Sequence, residues 1–186
     1  AQLEVRKREE QTTQLAKEAE LFRLKQQLQP HFLFNSLNSI NALVISQPKK
    51  AREMILLLSD FLRGTIRKDT QSWVTLEDEL NYLKMYLDIE RVRFGHRLEV
   101  EFEVDEASLL NKIPQLLIQP LLENAIKHGL YGVTGEVKIR FQAFRAESYL
   151  LIQVENPFEA NSSLAEGTGF GLSSVERRLF LLFGRT

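Results

Sequence analysis

The chain has 186 residues, 44% of them hydrophobic, with 24 Lys and Arg against 25 Asp and Glu for a formal net charge of −1. That apolar content can bury one sizeable core or two small ones, and the interspersed charges offer no basic field, which argues against direct nucleic-acid binding. The lack of cysteine excludes disulfides, zinc thiolate sites and thiol catalysis. The most apolar stretch, Ile113 to Leu122, is interrupted by Pro114, Gln115, Gln119 and Pro120, too short and too broken to span a bilayer.

Residues 1–28 are rich in Glu, Lys, Arg and Gln, and Leu21, Leu24 and Leu28 fall at heptad spacing. This reads as a helical stalk or coiled coil, with a plain solvated helix as the alternative. The step from Leu28 to Leu33 breaks the stripe and contains Pro30, so a kink is predicted just before His31. In the run Pro30-His31-Phe32-Leu33-Phe34-Asn35 a helix at roughly 100° per residue puts His31, Asn35 and Asn38 in one polar sector. Leu33, Leu37, Ile40 and Val44 then face the core. A histidine on the polar side is either a reactive group or simply solvated, and both readings stand at this point.

Ser46-Gln47-Pro48 interrupts the pattern, and a second helix with Ile55, Leu58, Leu62 and Ile66 on one face runs to about Arg67. Residues 29–72 thus form an antiparallel hairpin, which buries too little alone, so a four-helix bundle in a homodimer is expected. Thr75 and Asp78 have capping-box spacing and open a third helix through Leu76, Leu80, Leu83 and Leu87 toward Arg93. This helix, in residues 73–96, links the two halves.

From residue 97 the period changes to two: Leu98, Val100, Phe102 and Val104 alternate with glutamates, the pattern of a half-buried strand. Pro114 to His128 reads as a helix closed by Gly129, followed by strands near Glu136 to Phe144 and Tyr149 to Glu155. Glu159 to Gly169 has the composition of a mobile loop, and a last helix reaches Phe183. Residues 97–186 are α+β, which makes the whole chain multidomain, α followed by α+β.

Three constellations in this second half can carry chemistry. In Glu123-Asn124-Ala125-Ile126-Lys127-His128, helical spacing lets Glu123 share a face with Lys127 and Asn124 with His128. Asn124 offers a hard amide oxygen suited to hydrated Mg²⁺ and Lys127 a compact cation for phosphate, or the face is merely amphipathic with a Glu123–Lys127 ion pair. Gly167-Thr168-Gly169-Phe170-Gly171-Leu172 stands ahead of a helix, where alternate glycines let backbone amides point at phosphate oxygens, or simply cap the helix. It is neither a dinucleotide fingerprint nor a P-loop. Asn156, at the end of a predicted strand, can read the edge of a base or just end the strand.

Together and in order, these segments resemble the LytS-type sensor histidine kinases, two-component signalling proteins with a GHKL-type ATP-binding domain. The resemblance runs from about Leu21 to Gly184 and rests on Pro30 to Asn35, Tyr86-Leu87-Asp88-Ile89-Glu90-Arg91-Val92-Arg93-Phe94, Pro114 to His128, and Gly167 to Leu172 with Val175 to Gly184. It implies that His31 is the phospho-accepting histidine and that Asn124 holds Mg²⁺. By the same resemblance Lys127 and His128 approach the phosphates of ATP, and Gly167, Thr168, Gly169, Gly171 and Leu172 belong to the glycine box of the ATP lid. The implied fold of residues 97–186 is a GHKL-type α/β sandwich, and the implied reaction is autophosphorylation on His31 followed by transfer to a response-regulator aspartate. The regulator implied is of the LytTR DNA-binding type, and the parent protein is expected at the inner face of the bacterial cytoplasmic membrane.

Many related kinases carry an acidic residue right after the histidine, where this chain has Phe32. Glu123 is the acidic candidate on the nucleotide side, and Asn35 is placed to position water for dephosphorylation. The wider superfamily has Asp-x-Gly where this chain has Asn156-Pro157-Phe158, keeping an amide acceptor for adenine and losing the charge. The start at Ala1, and the stop at Thr186 where the family continues into a closing strand, lead us to expect a piece of a longer protein with its ATP-binding part cut short. Two other functions compete with the kinase: a weakly catalytic dimeric scaffold or phosphatase with poor ATP binding, and a GHKL ATPase using Glu123 as base.

Overall fold

The computed structural model describes residues 6, 10, 13–14, 16–17, 30–66, 73–130, 135–157 and 170–184. The described stalk positions are helical, and the rest of the expected stalk, the kink ahead of His31 and the expected mobile loop lie outside the described residues. Helices α1 (Pro30–Ser46) and α2 (Pro48–Ile66) are joined by Gln47 alone, whose N–H donates to the Leu43 carbonyl at 2.8 Å and whose carbonyl accepts from Ala51 at 3.1 Å. They pack antiparallel as the sequence predicts, since Phe32 near one end meets Phe61 near the other with ring centroids 5.1 Å apart.

The buried stripes differ from those expected. Within α1 the buried side chains are Phe32, Ser36 and Ile40, while Leu37 and Val44 stay 48% and 50% exposed. In α2 they are Ala51, Met54, Leu58 and Phe61, with Ile55 exposed. Both helices carry apolar residues on more than one face, and contact with the third helix selects the face bearing Phe32 and Phe61, because large rings bury the most surface.

Strand β1 (Trp73–Thr75) leads into α3 (Leu76–Phe94). The capping box forms as its spacing implies: Asp78 N–H donates to Thr75 Oγ1 at 3.1 Å, and Thr75 N–H donates back to the Asp78 carboxylate. α3 is buried around most of its circumference, through Leu76, Leu80, Tyr82, Leu83, Tyr86, Leu87 and Ile89, and one continuous apolar core runs through it from Phe32 to the sheet at Phe141.

Strands β2 (Leu98–Val104), β4 (Val137–Ala146) and β5 (Tyr149–Glu155) form a sheet in the order β2-β4-β5. β2 and β4 are parallel with Phe102 opposite Phe141, and β4 and β5 are antiparallel with Arg140 opposite Glu155. Val137, Ile139, Phe141 and Ala143 point into the core, whereas Lys138 and Arg140 on the outer face meet Glu101 at 2.9 Å and Glu103 and Glu155 at 3.6 and 3.8 Å. The architecture is thus α+β.

Two expectations are corrected between residues 112 and 130. Lys112–Pro114 is a strand, β3, antiparallel to β1, and helix α4 spans Gln119–Leu130, so it starts five residues later than Pro114. A helix begun at Pro114 would place Pro120 in its interior, where the ring clashes with a carbonyl one turn back. Near the start of α4 its missing N–H costs nothing. Gly129 lies within α4 and does not close it: a Cβ there would come 2.8 Å from Val137 Cγ1. Glycine is present for close packing on β4. The last helix, α5, spans Phe170–Phe183 and packs on α4.

Candidate active site

Burial of Phe32 sets the rotation of α1. Its ring packs on Phe61 and, with centroids 4.8 Å apart, on Tyr86 of α3, so the next residue back, His31, faces solvent as its polar sector predicts. Asn35, one turn on, brings its amide Nδ2 to 3.1 Å from His31 Nδ1 and 3.3 Å from Nε2. The imidazole and the amide therefore form one exposed polar unit. Asn38 is exposed on the same helix.

α4 buries Gln119, Leu122, Ala125, Ile126, Gly129 and Leu130 and leaves Glu123, Asn124 and His128 half-buried and Lys127 exposed. Gln119 Nε2 donates to Glu123 Oε1 at 2.7 Å. Among the described residues no ion pair joins Glu123 to Lys127, so the amphipathic alternative loses its stabilising pair. Burial pushes the Glu123 carboxyl up from 4.5 to about 7; the Gln119 bond works against this and the negative charge of Glu90 adds to it. Glu90 on α3 is itself raised by burial, against the pull of Arg93, whose Nη1 lies 3.3 Å from its Oε1. Tyr86 is raised well above the usual phenol range by burial and by the charges of Glu90 and Glu123.

Tyr86, Glu90, Arg93 and Gln119 are thus neighbours of the site that sequence reasoning gave no role. Their signal was a Glu and an Arg three residues apart on the linking helix, and a Gln one turn before Glu123.

Gly129 also brings Asn156 to α4: the same Cβ position is 3.9 Å from Asn156 Cβ and 4.0 Å from Pro157 Cδ. Asn156 Nδ2 donates to the Pro157 carbonyl at 3.0 Å, which orients the side chain with Oδ1 as its acceptor end. Gly171 and Leu172 lie in the first turn of α5, and Leu172 is exposed. Gly167, Thr168 and Gly169 lie outside the described residues. The fold therefore gathers Glu123, Asn124, Lys127, His128 and Asn156 around α4, while His31 and Asn35 sit on α1, which packs on α2 and α3. Tyr86 of α3 connects the two groups, packing on Phe32 of α1 and feeling the charge of Glu123.

Asn124 offers one hard oxygen beside a carboxyl, and among the described residues no cluster of three or more His, Asp or Glu forms a metal cage. That donor set fits Mg²⁺, which keeps several waters and takes its other ligands from phosphate.

A histidine kinase family model matches residues 19–98. The sensor protein LytS of Staphylococcus saprophyticus is 35% identical over 99% of this chain and 33% of its own length. The sensor histidine kinase YpdA of Escherichia coli K12 is 37% identical over 98% of the chain and 34% of its own, and BtsS of the same strain is 32% identical over 90% and 30%. The chain spans about a third of the length of these curated relatives. With the first three motifs placed in order on one α+β fold, and the described part of the fourth on α5, the chain belongs to the LytS-type histidine kinases.

Proposed function

We propose that this chain is the catalytic core of a dimeric sensor histidine kinase that uses ATP and Mg²⁺ to phosphorylate His31 and then passes the phosphoryl group to an aspartate of a LytTR-type response regulator. The observation that carries the reading is the exposed His31 imidazole, turned outward by the burial of Phe32 on a helix docked to Tyr86 of α3, which also feels the charge of Glu123. In this reading 1–28 is the stalk, 29–72 the dimerising phospho-acceptor hairpin, 73–96 the linking helix and 97–186 a GHKL-type ATP-binding domain. Exposed Leu37, Val44, Ile55 and Leu56 supply the apolar surface that a second hairpin covers in the bundle. The longer parent protein is read as anchored at the inner face of the cytoplasmic membrane.

The reaction is attack by a neutral ring nitrogen of His31 on the γ-phosphorus of ATP. An N–P bond forms as the bond to the bridging oxygen breaks, and the electron pair leaves with ADP. Positioning supplies most of the rate in such a transfer. Asn35, within hydrogen-bonding reach of both ring nitrogens, holds the imidazole during attack and orients water when the phosphoryl group is removed. Lys127 compensates phosphate charge and His128 approaches the phosphates, assisted by backbone amides of the Gly167-Thr168-Gly169 segment, Gly171 and Leu172 at the start of α5. Asn156 Oδ1 accepts from the adenine amino group. Glu123, poised near neutrality, is the proton acceptor on the nucleotide side. Asn124 would hold Mg²⁺, which supplies neutralisation of the charge on the transferring phosphoryl group.

The test is incubation with γ-labelled ATP and Mg²⁺, comparing the wild type with His31→Gln and Asn124→Ala. Acid-labile, alkali-stable label lost in both variants is expected. Absence of label in the wild type favours the scaffold reading, for which Asn156 in place of an aspartate is the motivating feature. ATP hydrolysis undiminished in His31→Gln favours the ATPase.

A further inference from the structure

Glu79 has no exposed surface, yet it carries a carboxylate in the first turn of α3. Its two oxygens accept backbone N–H bonds from Leu116 at 3.1 Å and Ile118 at 3.4 Å, in the turn that precedes α4. Leu116 holds a φ of 57°, uncommon for a residue with a side chain, and such a conformation persists where surrounding bonds over-determine it. In the same turn the Gln115 carbonyl accepts from Arg178 Nη2 of α5. Arg178 is 7% exposed and its Nη1 has no hydrogen-bond partner. Burial works against its charge, and the negative charge of Glu79 favours it.

The apolar hold on α5 is modest. Among its described side chains Val175 is the only buried apolar residue, Leu179, Leu181 and Leu182 are half-buried, and Leu172, Phe180 and Phe183 are about half exposed. Phe183 touches Trp73 edge-on, and both rings are about half exposed. The guanidinium therefore adds a polar tie between α5 and the 115–118 turn, and the placement of the helix axis decides where its first amides point.

We infer that Glu79 and Arg178 are positioning residues for the nucleotide site: through the 115–118 turn they lock the phosphate-facing start of α5 to helix α3. The inference rests on the ATP-dependent reading above. It gives α3 a second task, since a helix that packs on the phospho-acceptor hairpin at one face also orients the phosphate cradle at another.

The test measures Mg²⁺-dependent binding of a fluorescent ATP analogue to the full chain, alongside thermal unfolding, for Arg178→Met, Arg178→Lys and the double variant Glu79→Gln/Arg178→Met. Arg178→Met should weaken binding about tenfold or more, the worth of one lost charge-assisted hydrogen bond, and should lower the melting temperature by removing the positive charge that Arg178 holds near Glu79. The double variant removes both charges, but the amide of Glu79→Gln keeps only one oxygen for the two N–H donors of Leu116 and Ile118, so its melting temperature and its binding should both stay at or below those of Arg178→Met. Arg178→Lys, which keeps the charge and a single donor, should bind with intermediate affinity. Should Arg178→Met fail to fold, Arg178→Lys still decides. Wild-type affinity in any folded variant, measured well below its melting temperature, reduces the pair to a folding role and overturns the inference. A wild type that binds no nucleotide overturns the ATP-dependent reading itself.

Discussion

Replacing Glu123 by Gln should leave stability almost unchanged in mild acid and raise it above neutral pH. The folded chain pushes this carboxyl up from 4.5 to about 7, chiefly by burial, with Glu90 adding and the Gln119 hydrogen bond opposing. Between those values the folded protein keeps a proton that the unfolded chain has released, so wild-type stability falls as pH rises through the window. At about 1.4 kcal/mol per pH unit the full effect is about 3 kcal/mol, reached once pH exceeds the folded value. Glutamine removes this dependence and keeps an oxygen to accept from Gln119. The groups facing the carboxyl are Tyr86 and Glu90 of α3, with Arg93 beyond Glu90, and Gln119 of α4 itself. Urea unfolding of both proteins from about pH 5 to about pH 8, read as the midpoint with its slope, gives the difference directly. A stability gap that is constant across the range, or a variant less stable at the alkaline end, would refute the argument.

Three further outcomes follow from packing and capping. Gly129→Ala would set a methyl 2.8 Å from Val137 Cγ1, so a loss of about 1–3 kcal/mol is expected, and an unchanged or raised melting temperature would show that the helix has room. Phe61, 1% exposed and packed against Phe32 and Tyr82, joins α1 to α3 through α2; Phe61→Ala should cost about 3–5 kcal/mol, and a cost below about 1 kcal/mol in denaturant unfolding contradicts that placement. Thr75→Ala removes the capping box and should cost about 1 kcal/mol, with faster amide exchange confined to the first turn of α3. Unaltered exchange at Asp78 would count against it.

Much of the site was legible because its signals are local. His31 on a polar sector, the four side chains of α4 at helical spacing and the Thr75–Asp78 cap each depend on residues within one or two turns. What escaped were the partners: Tyr86, Glu90 and Gln119 around Glu123, and Arg178 on the Gln115 carbonyl. A buried polar pair is visible from sequence only as two unexplained residues in apolar surroundings, since nothing local says which distant group satisfies them.

The sequence by itself determined the alternation of Leu98 to Val104, the bounds of β5, the hairpin of α1 and α2 and the outward setting of His31, all consequences of periods of 2 and 3.6 acting over a few residues. Only the tertiary structure decided which of the apolar faces on α1 and α2 is buried, that α4 waits until Gln119, and that Gly129 serves close packing. The turn ahead of α4 exists because a carboxylate 37 and 39 residues away accepts its amides. The choice among faces belongs to whichever surface arrives opposite. Burial and hydrogen-bond satisfaction are properties of pairs brought together in space, and no periodicity along a chain encodes them.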